Sequence, residues 1–320
     1  MALKNPRYAL LSLVLLAIVF TVIYLISNIL RGFTPGYILA VAILVYTGTA
    51  LNRARNVVAP PRFPILQEKA ENLGLPPFVE VTFKSRDGVD LSGWHIPSSN
   101  RGAVIMVHSL GSSRLQMRNF ARALVESGYG IMLFDLRGHA RSGGTMSTFG
   151  WIEHEDVLGA YDFLKKQSEI DPSRIGLLGF SLGAQVAIRA AAGTDLFSAV
   201  WVDGPIPIVY EDHFVAVKRR TFRQMFFSPW WWLAYNTQEW LTGLDQPPAL
   251  IDVIGKVSPR PLMIAAAGSD RIISAARRYF DAAGEPKQFW QMDDIPFGSG
   301  ILEKGDDYDL KLTAFFNRSM

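Results

Sequence analysis

A mostly parallel α/β sheet with helices on both faces, carrying one aromatic-rich insert and preceded by two apolar helical runs, is the fold class this sequence predicts. Three observations predict it. Short, continuous apolar runs alternate with helical patterns from residue 78 onward, as expected where strands are buried on both faces and crossed over by helices. One of these runs, Ile175–Leu178, passes through a Gly-x-Ser-x-Gly turn directly into an alanine-rich helical stretch. Ahead of all this, Tyr8 to Leu30 holds no charged residue, which at about 1.5 Å rise per residue is long enough to cross a bilayer.

Taken in order, residues 1–56 read as a transmembrane hairpin with helices over about 8–30 and 36–51. Its second run is uncharged from Gly32 to Leu51 and opens with Thr34-Pro35-Gly36. A secretory signal would be shorter and followed by a small-residue cleavage site, and neither holds. Lys4 and Arg7 precede the first span, Arg31 alone lies between the two, and Arg53, Arg55 and Arg62 follow the second. The positive-inside rule then places both ends and the following domain in the cytoplasm, as a two-span membrane protein. If only the first run spans, the domain lies on the other side. Residues 57–77 read as a linker, punctuated by Pro60, Pro61, Pro64, Pro76 and Pro77.

From 78 to 320 the pattern becomes strand and helix in alternation. Val79–Phe83 and Val89–Ile96 flank Asp87-Gly88 as antiparallel strands. Ala103–Val107, Ile131–Phe134, Ile175–Leu178, Ala199–Val202, Pro261–Ala266 and Lys287–Met292 continue the series. Helices are expected near 114–127, 151–167, 182–192, 271–283 and 303–317. An insert over about 205–259 breaks the rhythm with Phe214, Phe222, Phe226, Phe227, Trp230, Trp231, Trp232, Tyr235 and Trp240. It lies on the side where the strand C-termini open, where an insert serves as a cap over the crevice. Its aromatics are expected to form the cap's own core on the domain. The alternative is a membrane-facing surface, because Lys218, Arg219, Arg220 and Arg223 interleave with them.

Composition narrows the chemistry. Among 320 residues the net charge is +3 and no cysteine occurs, which removes disulfides, thiolate–zinc sites and cysteine nucleophiles. Basic residues form no stripe of the kind nucleic acid requires. No Gly-x-Gly-x-x-Gly follows a strand, so a dinucleotide fold is excluded. The five histidines lack metal-ligand spacing, and neither a metal nor a cofactor is expected.

The chemistry-bearing motif is Gly179-Phe180-Ser181-Leu182-Gly183. A serine between a buried strand and a helix sits on a tight turn that projects its hydroxyl. Here the chain resembles the α/β-hydrolase superfamily, its serine-aminopeptidase-like and dienelactone-hydrolase-like members in particular, over about residues 80–317. Val107-His108-Ser109-Leu110-Gly111 is similar to that family's His-Gly loop, with Ser109 where glycine is usual. Asp135-Leu136-Arg137-Gly138-His139-Ala140-Arg141-Ser142 resembles its Asp-x-Arg-Gly-His-Gly-x-Ser loop, with Ala140 replacing a glycine. In that loop His139 is expected to shape the backbone and do no chemistry. The resemblance implies Ser181 as nucleophile, the N–H groups of Leu110 and Leu182 as oxyanion donors, and Asp270, in Gly268-Ser269-Asp270, as the acid that orients a histidine. Asp203 is the alternative acid.

The family's catalytic histidine follows the eighth strand. By spacing that position falls on Phe297, and the last histidine of the chain is His213. A phenylalanine accepts no proton, and an unassisted serine is a poor nucleophile. His213 is the leading substitute base, with His108, Asp293 and Asp294 as others; His95 and His154 read as structural. Two functions remain open. One is a membrane-anchored serine hydrolase that cleaves an ester, thioester or amide of an acyl or lipid-like small molecule. The other is a catalytically impaired hydrolase-fold protein that binds an acyl ligand or a membrane partner.

Overall fold

The computed structural model describes residues 6–29, 35–62, 70–213 and 222–320. Lys4, Arg31, Phe214, Lys218, Arg219, Arg220 and linker residues 63–69 lie outside the described residues. The chain divides into two compact units, one of residues 59–215 with 247–320 and one of 1–58 with 216–246.

The larger unit is built on an eight-stranded sheet: β1 (Val79–Lys84), β2 (Asp90–Ile96), β3 (Ala103–Val107), β4 (Gly130–Phe134), β5 (Ile175–Phe180), β6 (Val200–Asp203), β7 (Leu262–Ala267) and β8 (Lys287–Met292), in the order β1-β2-β4-β3-β5-β6-β7-β8. β2 runs antiparallel to β1 and β4, and every other pairing is parallel. Alternate residues feed two cores. Ile105, Leu177, Val202 and Ile264 point to one face, and Met106, Leu178, Trp201 and Ala265 to the other. Helices His154–Leu164, Leu182–Ala192 and Asp270–Ala282 cover the first face; Arg118–Glu126 and Asp306–Ser319 cover the second. Because both faces are covered there, the central strands β3 to β7 carry no polar alternation, and that is what makes them legible as apolar runs.

Three helices begin or break where the pattern alone does not say. The helix expected over 114–127 opens as a 3-10 turn, Arg114–Met117. The one expected from 151 begins at His154, because the buried Glu153 carboxylate gathers the loop before it. That carboxylate accepts hydrogen bonds from the Ser147 and Thr148 hydroxyls and from the Thr148 and Gly150 N–H groups. The last helix is split at Gly305, at φ 44°, into Gly300–Glu303 and Asp306–Ser319.

The smaller unit joins Pro6–Ile29 and Pro35–Val58 to Phe222–Thr242 of the insert. Among the described residues the α-helices in chain order are α1 (Pro6–Ile29), α2 (Pro35–Val58), α3 (Arg118–Glu126), α4 (His154–Leu164), α5 (Leu182–Ala192), α6 (Phe222–Thr242), α7 (Leu250–Val253), α8 (Asp270–Ala282), α9 (Gly300–Glu303) and α10 (Asp306–Ser319). α2 continues seven residues past its expected end at 51, through a polar stretch that contains no helix breaker before Pro60. Among the described residues Gly36–Val58 is long and apolar enough to cross a membrane, whereas Ala17–Ile29 is apolar but shorter. α6 packs along α2 through Trp230, Leu233 and Ala234 around Ala50. Phe222, Phe226, Phe227 and Trp240 are exposed. The expectation that the insert's aromatics together form a core is thereby corrected: those from Trp230 to Tyr235 pack inward, and these four do not.

One buried polar chain ties α10 to the sheet. Trp201 Nε1 donates to the Tyr308 hydroxyl at 3.1 Å, and that hydroxyl donates to Asp203 Oδ2 at 2.9 Å. Burial pushes the Asp203 carboxyl up to about 7, partly offset by the Tyr308 hydrogen bond. A carboxyl raised on folding holds its proton in the folded protein after the unfolded chain has lost it, so its contribution to stability falls as pH rises from about 4 to 7. The wild type should therefore gain stability over Asp203→Asn as pH is lowered through that range, measured by urea unfolding at several pH values. A stability difference that stays constant with pH would mean the carboxyl is ionised throughout.

Candidate active site

Ser181 stands between β5 and α5, with φ 56° and ψ −110°. A non-glycine residue is held there only at a cost of about 1–3 kcal/mol, supplied by its surroundings. Those surroundings are close-packed backbone. A Cβ at Gly179 would strike the Gly183 carbonyl, and a Cβ at Gly183 would strike the Val107 carbonyl at the end of β3. Both flanking glycines are thus required for the turn to be this tight. On the neighbouring strand, Phe180 is in register with Asp203, and the Ser181 N–H donates to the Asp203 carbonyl at 2.9 Å. Ser181 is 7% exposed, and its hydroxyl makes no hydrogen bond among the described residues.

The loop after β3 is braced by two buried neutral imidazoles. Leu136 N–H donates to His108 Nε2 at 3.0 Å, so His108 carries its proton on Nδ1 and donates it to the Ser109 carbonyl at 2.7 Å. Gly111 N–H donates to His139 Nε2 at 3.1 Å, and His139 Nδ1 donates to the Arg137 carbonyl at 2.9 Å. Burial, reinforced by His139 alongside, pushes the His108 imidazole down to about 4; burial likewise lowers His139. Gln116 Oε1 accepts from both the N–H and the hydroxyl of Ser109. The N–H groups of Leu110 and Leu182 are engaged by no hydrogen bond among the described residues.

Both ring nitrogens of His108 are therefore committed, and the expectation of His108 as a substitute base is corrected on that ground. His139 shapes its loop, as its sequence context implied. The rest of that loop is an ionic frame. Asp135 accepts from the Arg114 N–H and guanidinium at 2.8 and 2.6 Å, and Arg137 bridges Asp156 and Asp87 at 2.6 Å each. Asp293 and Asp294 are exposed, Asp293 accepting from Gln291. His95, buried on β2, lies 3.7 Å from Glu169.

Asp270 opens α8 just beyond β7 with its carboxylate exposed, and pairs with none of the described residues. His213 closes a short turn, Glu211–His213, with Arg271 Nη2 3.4 Å from its Nδ1. It thus reaches the residue beside Asp270, although a guanidinium donating to Nδ1 leaves the proton on Nε2. Phe297 stacks on Phe180, with ring centroids 5.4 Å apart and planes at 29°. A Cβ at Gly204 or at Gly268 would run into Phe297. Phe297 therefore rests where β5, β6 and β7 end, stacked on the residue that precedes the strained serine.

Sequence reasoning missed Tyr308, which anchors Asp203 from α10, and Gln116, which fixes Ser109. Neither lies in a recognisable motif, and only the fold brings them near the loops they hold. Among the described residues no cluster of His, Asp and Glu has the makings of a metal site.

Known proteins resemble this chain over the same region. The family described as serine aminopeptidase, S33, matches residues 98–207. Uncharacterized protein Rv2307c of Mycobacterium tuberculosis is 30% identical over 220 residues, covering 67% of this chain and 70% of that one. The esterase Pf2001 of Pyrococcus furiosus superposes with a TM-score of 0.67 at 24% identity, over 82% of this chain and 98% of that one. Dienelactone hydrolase from Anabaena variabilis does so with a TM-score of 0.55 at 17% identity, over 77% and 99%. With its sheet order, its strained serine turn and these relatives taken together, the chain belongs to the α/β-hydrolase superfamily.

Proposed function

We propose that the protein is a membrane-anchored serine hydrolase that cleaves an ester, thioester or amide bond through an acyl-enzyme on Ser181. The observation that carries this reading is the retained φ of 56° at Ser181. A backbone strained at this cost is what presents a nucleophile, and a structural serine has no need of it. In the reaction the Ser181 oxygen adds to the substrate carbonyl carbon and its proton passes to a base. The carbonyl oxygen gains negative charge opposite the Leu110 and Leu182 N–H groups, and the leaving group departs with that proton. Water then repeats the sequence on the acyl-enzyme and frees the acid. The esterase and dienelactone hydrolase among its structural relatives act by name on bonds of this kind.

His213 is the base in this reading, with Asp270 as orienting acid. It must first exchange its contact with Arg271 for one with a carboxylate, so that Nε2 is free to accept. The substrate is a small acyl or lipid-like molecule, and α1 and α2 form the membrane hairpin, with the hydrolase unit on the cytoplasmic side.

The Phe180–Phe297 stack favours a second reading, in which the site binds an acyl ligand and turns it over slowly or not at all. Labelling with a fluorophosphonate probe separates the two: wild type should label, whereas Ser181→Ala and His213→Ala should not. Labelling of His213→Ala at the wild-type rate would move the base elsewhere, and silence of the wild type would leave the binding reading. Placing an imidazole on the strand-end position by Phe297→His should raise hydrolysis of a p-nitrophenyl ester about 10²-fold or more. No gain would mean that this loop does not present a side chain to Ser181.

A further inference from the structure

The smaller unit handles its polar groups in a way that points to its surroundings. Thr21, Asn28 and Thr47 are polar side chains on α1 and α2, and each donates to the carbonyl four residues back on its own helix, at 2.7, 2.8 and 2.8 Å. Asn236 and Thr237 do the same on α6. Along the α2–α6 seam further polar groups turn toward the facing helix. Tyr46 donates to the Phe226 carbonyl at 2.6 Å, and Trp230 Nε1 to the Thr49 hydroxyl at 3.0 Å. The Arg53 guanidinium lies over the rings of Trp231 and Tyr235, 4.7 and 4.9 Å from their centroids. In hydrocarbon an unpaired polar group costs several kcal/mol, and internal pairing of this kind suits such surroundings.

Toward the middle of α2 and the start of α6, large apolar side chains face outward. On α6, Phe222 is 85% exposed, Met225 60% and Phe226 53%; at spacings of three and four residues they share one helix face. On α2, Ile38, Leu39, Ile43 and Val45 are also exposed. The contacts from Tyr46 with Phe226 to Arg53 with Tyr235 run in the same chain direction, so α6 lies parallel to α2 and its apolar face belongs to the same helix bundle. Exposed apolar surface of this extent marks an interaction site.

We propose that α6 is a further bilayer-embedded helix, its Phe222, Met225 and Phe226 face lying against phospholipid acyl chains beside α2. This rests on the membrane anchoring proposed above and goes beyond it: the insert itself, and not only the leading hairpin, enters the lipid. An acyl substrate would then meet the insert without first leaving the membrane.

The chain contains no cysteine, so single cysteines report without background. Phe222→Cys and Met225→Cys, each labelled with the environment-sensitive fluorophore NBD, are compared with Val45→Cys on α2 and Leu310→Cys, an exposed position on α10. The full chain is reconstituted in phosphatidylcholine–phosphatidylglycerol vesicles. Positions 222 and 225 should lose fluorescence to acyl-chain nitroxide lipids as position 45 does, and resist aqueous iodide, which quenches position 310. Iodide quenching at 222 and 225 with lipid quenching at 45 overturns the inference while the anchoring by α2 stands. Quenching by neither agent means protein covers this face, and also overturns it. If position 45 too behaves like 310, the membrane reading falls along with the inference.

Discussion

Everything at this site depends on how closely three pieces of backbone approach: the end of β3, the end of β5 and the first turn of α5. Gly179 and Gly183 permit that approach because neither has a Cβ to place against the carbonyls of Gly183 and Val107. Once they are in contact, the residue between strand and helix has no relaxed conformation to adopt, and Ser181 is left at φ 56°. The N–H of Ser181 is tied across to the Asp203 carbonyl, so strain cannot leak away by shifting the strand. The conformation of Ser181 is thus enforced by the packing of sheet and helix and not by bonds of its own hydroxyl.

The surrounding loops are rigid for a different reason. Loops after parallel strands must satisfy their own backbone groups without a partner strand. Here His108, His139, Glu153 and Asp135 do this from buried positions, each with two or more bonds to loop atoms. Histidine and carboxylate side chains that elsewhere would be available for proton transfer are consumed in holding loops in place. Phe297, in turn, presents an apolar ring against Phe180, the residue that precedes the serine.

How much of this was legible in the sequence follows from the range of each interaction. Strands β3 to β7 were legible because burial on both faces writes itself as an unbroken apolar run. The elbow was legible because close backbone approach leaves glycine little alternative. Phe297 fell by spacing alone in the loop after β8, where the structure has it beside β5, β6 and β7. The partnership of α6 with α2 was not legible: it joins residues about 180 positions apart, and the aromatic residues that pack and those that stay exposed alternate within a few positions of one another. The end of α2 was missed because Asn52 to Asn56 looks like a boundary in composition, although nothing in it breaks a helix. Tyr308 gave no signal, since one tyrosine on an amphipathic helix is indistinguishable from any other until the sheet lies beneath it.

The pairing of two uncharged imidazoles under the loop after β3 has a consequence for acid exposure. Each ring receives a main-chain amide at one nitrogen, and a doubly protonated ring has no lone pair left to receive it. Acidification to around pH 4, where His108 takes up a second proton, would turn the amide of Leu136 from a held group into a repelled one. The scaffold around the serine would then loosen from the inside, at its most deeply enclosed point, over the same pH range in which surface carboxylates take up protons.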